Sequence, residues 1–477
     1  MWTTTTISLG AGITIALYIL AFYAVIQAIT RGHGVEGTLA WIFAILAFPG
    51  VGAIAYLLLA SPSIKRTTKR KKKTIAALRK AIPQGISDEK LREMPAASIM
   101  RMAYQLTYLV PKAGNRIEIL TGNESAFEHI ESALKSAKKS IWAEYYIIQH
   151  DETGKRFMDI LAAKAKQGIE VKLLYDALGS LSIDTDALKQ IQAAGGKVEA
   201  FLPLNPFRRR WSMHLRNHRK IIVVDGETGF MGGMNVGDEY SGSGRKKADQ
   251  RFRDTHMSLR GPAVFDLALI FAEDWTFATE APLDPPPAPA ELPGAKSIVS
   301  IIPSGPDQEF NANGFTYFSG IATAREKVCL TSPYFIPTDA IIRALISAAM
   351  RGVDVRLLVP RKNDIRVVSS AGRAFYPELV RGGVKIFEYL PTMLHGKTMV
   401  VDGKWGIVGS ANVDIRSFRL NFEIGAIIAD PDIAKILEDK FNADIANSEE
   451  ITTSKISHRR FLQKLRYGTA RLLSPLL

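Results

Sequence analysis

Two long uncharged stretches occupy the N-terminal part of the chain. No charged residue occurs before Arg31, and Ile7–Ile29 is apolar and long enough to cross a bilayer, which takes about 20 helical residues. A second apolar stretch, Leu39–Ala60, follows after a short connection. The pattern predicts a transmembrane helical hairpin over residues 1–62. A cleaved signal peptide is the alternative for the first stretch, but a basic segment before it is lacking and a second span follows at once.

A dense basic run follows the second stretch. Seven of the nine residues in Lys65–Lys73 are Lys or Arg, within a connector that we place at residues 63–113. Positive charge beside a membrane span is typical of its cytoplasmic end. The hairpin would then put both the N-terminus and the large C-terminal region in the cytoplasm, as a multi-pass membrane protein.

The remainder of the chain alternates short β-rich runs with amphipathic helical stretches. Apolar strands between helices are typical of an α/β fold whose sheet is covered on both faces. The predicted strands fall into two series, at residues 140–148, 171–175 and 220–224, and at residues 328–336, 355–359 and 398–401.

The two series also match in sequence, which indicates an internal duplication. Ala165–Leu174 reads like Ala349–Leu358, and a Pro-rich stretch lies between the halves. We therefore predict two tandem domains that pack about a pseudo-two-fold axis with a single site between them. The predicted boundaries are a first domain at 114–280, a linker at 281–297, a second domain at 298–454 and a basic amphipathic tail at 455–477.

Composition narrows the class of partner. The chain has 477 residues, of which 47% are hydrophobic and 23% charged, so it must bury a core and is not a disordered protein. Its net charge of +14 indicates a polyanionic partner, such as nucleic acid, anionic lipid or a phosphorylated substrate. Cys329 is the single cysteine, which excludes an intramolecular disulfide and a Cys-rich metal site.

One motif occurs once in each half. It reads His-x-Lys, four residues, Asp, six residues, and then Gly-Gly-x-Asn or Gly-Ser-x-Asn, with an acid farther on. Its members are His218, Lys220, Asp225, Gly233, Asn235 and Asp254 in the first half, and His395, Lys397, Asp402, Ser410, Asn412 and Glu423 in the second.

The spacing of this motif suits a phosphate site. Side chains at positions i and i+2 point to the same side of a strand, so each imidazole and ammonium face one pocket. The glycine pair allows close approach of backbone to a ligand, and the asparagine supplies an amide donor. Two copies would bring together two imidazoles, two ammonium groups and two amides.

These residues resemble the phospholipase D superfamily, whose signature is a pair of HKD motifs. The resemblance covers the chain from about Ile117 to its end and narrows to the bacterial cardiolipin synthases. Stretches that match this family include Phe252–His256, Ser332–Pro337 and Asn412–Glu423. The resemblance implies an enzyme of the bacterial cell membrane that needs no cofactor and no metal. The implied substrate is phosphatidylglycerol, two molecules of which give cardiolipin and glycerol through a phosphohistidine.

The resemblance also implies roles for the motif residues. Family analogy favours His218 as nucleophile and His395 as acid and base, although the nearly symmetric sequence does not choose between them. Phosphate binding would fall to the lysines and to Asn235, Asn412, Gly233 and Ser410. Asp254 and Glu423 would orient the histidines, and Asp225 and Asp402 would brace the motif turn. We expect Trp142, Tyr145 and Tyr146 in the core, and Glu144 and Tyr334 at the edge of the pocket.

Other functions would use the same residues. A phospholipase D-type hydrolase and a transferase that takes phosphatidylethanolamine as donor are the nearest alternatives. A nuclease is disfavoured by the two predicted spans, so we expect no nucleic-acid partner, and intact motifs in both halves disfavour a non-enzymatic scaffold. The sequence leaves open a homo-oligomer, and also whether the C-terminal tail lies in the membrane interface or packs on the domain.

Overall fold

The computed structural model describes residues 4–30, 34–59, 96–203, 215–242 and 251–474. The chain divides into two compact units, residues 1–67 and residues 68–477. The basic run Lys65–Lys73 and most of the predicted connector lie outside the described residues. Their predicted roles therefore stay predictions.

In the described part of the first unit there are three helices: α1 (Thr4–Thr30), α2 (Gly34–Ala47) and α3 (Pro49–Leu59). Small side chains of α1 let the three helices approach closely. They share a buried cluster with residues of α2 and α3, which consists of Ala21, Ala24, Ala28, Ile45, Ala53 and Tyr56. Within the described residues, Ala11–Thr30 is the one helical stretch that is long and apolar enough to cross a membrane.

The second predicted span differs from the structure. The stretch 39–60 is divided between α2 and α3, and the division falls at Phe48, directly before Pro49. Proline has no backbone N–H and disfavours helical conformation in the residue before it, so a new helix begins at Pro49. The first unit is thus one long helix followed by two short ones, where the sequence predicted a pair of helices.

The described residues of the second unit form a mixed sheet of 16 strands, accompanied by two pairs of short strands, β8 with β15 and β12 with β18. In chain order the strands are β1 (Lys112–Leu120), β2 (Ser140–Tyr145), β3 (Glu170–Asp176), β4 (Lys197–Phe201), β5 (Arg216–Asn217), β6 (Ile221–Val224), β7 (Thr228–Gly232), β8 (Phe252–Arg253), β9 (His256–Arg260), β10 (Ser297–Ser304), β11 (Lys327–Thr331), β12 (Phe335–Ile336), β13 (Asp354–Pro360), β14 (Lys385–Tyr389), β15 (Met393–Leu394), β16 (Thr398–Val401), β17 (Trp405–Gly409), β18 (Val413–Asp414), β19 (Asn421–Ala429) and β20 (Ser448–Glu450).

Helices connect these strands and cover the sheet. They are α4 (Ala97–Thr107), α5 (Asn123–Ser136), α6 (Glu152–Lys166), α7 (Thr185–Ala193), α8 (Asp238–Ser241), α9 (Val264–Thr279), α10 (Ala312–Thr323), α11 (Asp339–Met350), α12 (Arg366–Arg373), α13 (Tyr376–Arg381), α14 (Ile415–Arg419), α15 (Pro431–Ile445), α16 (Thr453–Ser457) and α17 (Phe461–Leu472).

Corresponding strands of the two halves follow the same order across the sheet. The first half runs β4-β3-β2-β6-β7-β9-β1 and the second runs β14-β13-β11-β16-β17-β19-β10, with β20 beyond β14. Antiparallel pairing of β1 with β10 joins the halves into one sheet. The Pro-rich stretch lies between α9 and β10, where the sequence placed the linker. Because the sheet is continuous, the halves form one compact unit, and the other boundaries stay predictions.

Alternate side chains of β2 show why helices cover both faces. Ile141 and Ala143 belong to a buried cluster with residues of α5, α6 and α7. Trp142 lies on the other face and stacks on Phe271 of α9, with ring centroids 5.3 Å apart. Successive side chains of a strand point to opposite faces of the sheet. A strand whose side chains are apolar on both faces therefore needs helices packed against both faces.

Candidate active site

The first motif copy stands at the start of β6. Since β6 pairs antiparallel with β2, its start lies at the carboxyl end of β2. The preceding strand β5 pairs in parallel with β19 of the other half, and the His218 N–H donates to the Phe422 carbonyl at 2.9 Å. These backbone contacts hold His218 beside Glu423, the residue after Phe422.

The second copy has the equivalent pairing. Strand β15 pairs in parallel with β8 of the first half, and the His395 N–H donates to the Arg253 carbonyl at 2.7 Å. Asp254 is the residue after Arg253. Each histidine is therefore attached through its backbone to the segment of the other half that carries an acid.

The side chain of each histidine also pairs with an acid from the other half, and we call this arrangement the exchange between the halves. Nδ1 of His218 lies 2.9 Å from Oε2 of Glu423, and Nδ1 of His395 lies 2.6 Å from Oδ2 of Asp254. Both carboxylates are inaccessible to solvent. A carboxylate on Nδ1 fixes the tautomer and the ring orientation, and it directs Nε2 toward the remaining space of the site.

The electrostatics of the acids agree with this pairing. Burial alone would raise the pKa of Asp254, but Lys397 and His395 lower it to about 2. Burial opposes ionisation of Glu423 as well, and His218 together with Lys220 holds its pKa below the ordinary value. Both acids are therefore ionised at neutral pH and able to stabilise an imidazolium.

The two lysines are buried beside the histidines. Nζ of Lys220 donates to the His218 carbonyl at 2.6 Å, and Nζ of Lys397 lies 2.7 Å from Nδ1 and 3.2 Å from Nε2 of His395. Burial lowers the pKa of Lys397 to about 8, and it lowers that of Lys220 well below its ordinary value.

The pKa values of both histidines are affected by charges from both motif copies. Burial is the main cause that lowers the pKa of His218 to about 4 and that of His395 to about 3. Lys397 contributes to the shift of His218, and Lys220 contributes to that of His395, so each lysine acts across the halves. The pocket therefore concentrates positive charge from both motif copies, as an anionic phosphate requires.

The asparagines line the same region with different partners. Oδ1 of Asn235 accepts from the Ile147 N–H at 3.3 Å. Oδ1 of Asn412 is buried and has no hydrogen-bond partner among the described residues. The same side chain is hydrogen-bonded to Asp414, so its amide nitrogen already has one acceptor. A buried amide oxygen without a partner is costly. Asn412 therefore has unused capacity for a ligand.

The backbone N–H groups of Gly233 and Ser410, two residues that we predicted to bind phosphate, have partners within the protein. Their backbone N–H groups donate to the carbonyls of Thr255 and Ile424, at 3.0 and 2.8 Å. The Ser410 hydroxyl donates to Oε2 of Glu423 at 2.5 Å, and a Cβ on Gly233 would lie 2.2 Å from a carboxylate oxygen of Asp254. Gly233 makes room for one acid and Ser410 holds the other, so neither has a free donor for a phosphate.

Asp225 and Asp402 lie at the opposite end of β6 and β16 from the histidines. Asp225 accepts from the backbone N–H groups of residues 138–140, and Asp402 accepts from those of residues 325–327. Both have left-handed backbone, with φ of 57° and 54°. Their carboxylates tie each motif turn to the start of the neighbouring strand and do not face the pocket.

This position predicts a loss of stability without a loss of chemistry. Asp225→Ala leaves three N–H groups without their acceptor, so we expect the free energy of unfolding to fall by about 1–2 kcal/mol. Asp225→Asn keeps one acceptor oxygen and should recover part of it. Thermal unfolding of the full chain, with Asp439→Ala as the exposed control, measures the effect. Turnover that falls a hundredfold at unchanged unfolding would place Asp225 in the chemistry instead.

Aromatic rings surround the histidines unequally. Tyr146 packs edge-on against His218 with centroids 4.8 Å apart, so its expected place in the core is wrong. Tyr334 lies 6.1 Å from His395, at the edge of the pocket as expected, and its hydroxyl donates to Asp364 at 2.9 Å. Trp142 and Tyr145 are buried as expected. Glu144 is also buried, and its carboxylate accepts from the Asn217 side chain.

Sequence reasoning missed two further rings at His395. Tyr240 and Phe252 each lie 5.4 Å from its ring, which is therefore more enclosed than that of His218. It also missed Asp176 at the end of β3, which accepts from the Asn217 N–H at 2.8 Å. The available signal was an acid at the carboxyl end of a predicted parallel strand. Among the described residues, no group of three or more His, Cys, Asp and Glu side chains could hold a metal ion.

Comparison with known proteins identifies the family. A family model described as cardiolipin synthase, PLD-like domain, matches residues 130–243 and again 317–445, and a model described as Phospholipase_D-nuclease N-terminal matches residues 17–60. A cardiolipin synthase of Alkalihalophilus pseudofirmus is 38% identical over 92% of this chain and 89% of that protein. The chain belongs to the cardiolipin synthase family.

Other relatives agree with this assignment. A cardiolipin synthase of Halalkalibacterium halodurans is 36% identical over 98% of this chain and 94% of its own length, and cardiolipin synthase A of Pseudomonas fluorescens is 35% identical over 97% of both. The crystal structure of phosphatidylserine synthase from Haemophilus influenzae shares the fold, with a TM-score of 0.61 and 18% identity over 79% of this chain and all of that one. The twofold match of the family model agrees with the predicted duplication.

Proposed function

We propose that this protein is a cardiolipin synthase that transfers the phosphatidyl group of one phosphatidylglycerol to the free hydroxyl of another. The products are cardiolipin and glycerol. The observation that carries the proposal is the pair of exchanged histidine–carboxylate contacts, His218 with Glu423 and His395 with Asp254, beside two buried lysines. This arrangement offers one nucleophile, one proton donor and positive charge for a single phosphodiester.

In the first step, Nε2 of His218 attacks the phosphorus of the donor lipid. A P–N bond forms and the P–O bond to the glycerol headgroup breaks, while His395 gives a proton to the departing oxygen. Burial and Lys397 lower the pKa of His395 to about 3, which by itself disfavours the protonated form at neutral pH. The negative charge of a bound phosphodiester offsets the lysines that depress this pKa and so favours the protonated form.

In the second step, neutral His395 removes the proton of an acceptor hydroxyl. The alkoxide oxygen attacks phosphorus, a new P–O bond forms, and the P–N bond to His218 breaks. At the end of this step His395 is again protonated. It can give this proton to the group that departs in the next transfer, whether that transfer runs forward or in reverse. Because the bonds broken and formed are alike, the transfer is reversible and follows the relative concentrations of lipid and glycerol.

The lysines and Asn412 would hold the phosphoryl oxygens. Lys220 and Lys397 are buried, so their charges act in a medium of low dielectric constant. Fixed charges of this kind stabilise the negative charge that develops on phosphorus oxygens in the transition state, with no rearrangement of solvent. Asn235 stands at the equivalent position of the first half, but its oxygen is bonded to Ile147.

The membrane segment supports transfer over hydrolysis. An acceptor hydroxyl must compete with water, which requires a high local concentration of lipid and exclusion of water. We propose that α1 spans the membrane, that α2 and α3 form the second membrane segment, and that the catalytic unit lies on the cytoplasmic side. We also propose that the two halves are domains related by a pseudo-two-fold axis, which the equivalent strand orders and pairings support.

A product assay tests the proposed reaction. Purified full-length protein in phosphatidylglycerol vesicles should release glycerol and form cardiolipin in equal amounts, and His218→Ala should form neither. Predominant phosphatidic acid would show a hydrolase instead. Vesicles that also contain labelled phosphatidylethanolamine test it as a donor, and label from its phosphate in cardiolipin would extend the donor range.

The pKa values predict the pH dependence of kcat/KM for a donor whose leaving group needs no proton, such as phosphatidyl p-nitrophenol, because protonation of His395 then does not limit the rate. His218 remains a neutral nucleophile down to about pH 4, so no acid limb is expected between about pH 5 and 7. Above about pH 8, Lys397 loses its proton and the phosphate loses a positive partner, so the rate should fall. Lys397→Arg, which stays protonated, should remove the contribution of Lys397 to this alkaline limb at a lower absolute rate, and it should leave that of Lys220, whose pKa burial also lowers. An acid limb near pH 6.5 would contradict the assignment.

A further inference from the structure

The C-terminal helix α17 has two different apolar faces. Tyr467 and Ala470 point to the domain and are buried. The outer face exposes five large apolar side chains, and helical periodicity places them on one side. They are Phe461 (76% exposed), Leu462 (75%), Leu465 (54%), Leu472 (79%) and Leu473 (43%).

Cation–π contacts hold α17 in this orientation. The Arg459 guanidinium lies over the rings of Tyr376 and Tyr467, at 5.6 and 5.0 Å, and donates to the Arg373 carbonyl at 3.0 Å. The Arg471 guanidinium lies 4.5 Å from the ring of Phe375. The helix is therefore docked on the domain by its inner face, and the exposure of the outer face is not a result of detachment.

The charge around this helix has one sign. Residues 451–477 contain no Asp or Glu and six Lys or Arg residues, namely Lys455, Arg459, Arg460, Lys464, Arg466 and Arg471. Helical periodicity places Lys464 and Arg466 along opposite borders of the outer face. An apolar face bordered by basic residues is typical of helices that lie in the interface of an anionic membrane.

The position of α17 relates it to the active site. It packs along α12, which begins directly after the loop that carries Asp364. Asp364 accepts from Tyr334, whose ring lies 6.1 Å from His395. Strands β10, β13 and β14 run in the same direction, and the loops after them expose further apolar side chains: Phe310, Ile365 and Leu390.

We propose that the outer face of α17 docks onto a bilayer that contains anionic phospholipid. The five apolar side chains insert below the headgroups, and the bordering Lys and Arg side chains lie at the level of the phosphates. A second copy of the chain is the less favourable occupant, because two such helices would bring twelve basic residues together without an acid. The proposal depends on the proposed function only in that the substrate lipid is itself anionic.

Collisional quenching of a fluorescent probe tests this contact. The native thiol of Cys329 is buried and is removed by Cys329→Ala, and the full chain then receives one labelled cysteine through Leu465→Cys. Met350→Cys is the matched control, because Met350 is 74% exposed but ends α11 at the opposite edge of the sheet. Both proteins are reconstituted in phosphatidylglycerol vesicles with brominated acyl chains.

We expect the probe at position 465 to be quenched at least about twofold more than the probe at 350. Replacement of phosphatidylglycerol by phosphatidylcholine should reduce the difference. Equal quenching at both positions would overturn the proposal, and so would disulfide cross-linking between position 465 of two copies without quenching by lipid. Quenching needs no turnover, so this result stands or fails independently of the product assay.

Introduction of acidic side chains into the outer face of α17 gives a second readout. Leu465→Glu combined with Leu472→Glu should lower turnover of phosphatidylglycerol in vesicles by about tenfold, because two exposed leucines would no longer insert into the bilayer. Turnover of a short-chain phosphatidylglycerol below its micelle concentration should be unchanged, and Met350→Glu should change neither rate. An equal loss on both substrates would indicate damage to the fold and would count against docking.

Discussion

His218→Ala is expected to lower the rate of cardiolipin formation by about four orders of magnitude or more, since no other group can form the covalent intermediate. His395→Ala should cost about 10²–10⁴, the range of a lost general acid and base. Single-turnover assays with labelled phosphatidylglycerol measure both rates. His129→Ala is the matched control, because His129 is half-exposed on α5 and outside the site.

A donor with a better leaving group separates the two histidines. Departure of p-nitrophenolate needs no proton, so a phosphatidyl p-nitrophenol should restore the first step in His395→Ala. It should not restore His218→Ala, which lacks the nucleophile. Restoration of the His218 variant alone would reverse the two roles, and restoration of neither would contradict a single acid and a single nucleophile.

Glu423→Gln is expected to reduce the rate by about 10²–10⁴, although Gln has nearly the shape of Glu. Its amide nitrogen cannot accept the proton on Nδ1 of His218, so the ring loses both its tautomer and the charge that stabilises its cationic form. The Ser410 hydroxyl would lose its ionised acceptor as well. The cost should fall on kcat with little change in KM.

Because each acid contacts the histidine of the other half, the structure predicts which histidine each acid variant should affect. Glu423→Gln should behave like a defect in His218, so the p-nitrophenol donor should not restore it. Asp254→Asn should behave like a defect in His395 and should be restored. Glu388→Gln is the matched control, because Glu388 is equally buried but is paired with Arg361 and Arg373 away from the histidines. The opposite pattern of restoration would pair each acid with the histidine of its own half.

The duplication made most of the fold and the chemistry predictable. The repeated His-x-Lys spacing identified the lysines as partners of the histidines, and the strand-rich runs lie at β2, β3 and β6 and at β11, β13 and β16. Local periodicity determines which face of a strand a side chain occupies, so it located both motif copies without any knowledge of long-range contacts.

The pairing of acids with histidines could not be predicted. His218 and Glu423 are 205 residues apart, and His395 and Asp254 are 141 residues apart. Their contact depends on the pairing of β5 with β19 and of β15 with β8. Three of these strands, β5, β8 and β15, have only two residues and carry no recognisable pattern. The sequence showed that each half supplies an acid, and the exchange appears only when the chain is folded.

Smaller errors have similar causes. Tyr146 follows an apolar strand and was expected in the core, but β2 ends at Tyr145 and the next ring turns toward His218. The glycine or serine after Gly232 and Gly409 was expected to approach phosphate, whereas the space there is filled by a carboxylate. In each case a neighbour from a distant part of the chain decides the role.

Trapping of the intermediate tests the central claim most directly. Wild-type protein mixed with donor lipid labelled at phosphorus, and denatured in alkaline detergent to preserve a P–N bond, should carry the label on His218. The label should be lost on exposure to acid, and it should be absent from His218→Ala. Full cardiolipin synthesis with no labelled protein, or label on a residue other than the two motif histidines, would contradict the account.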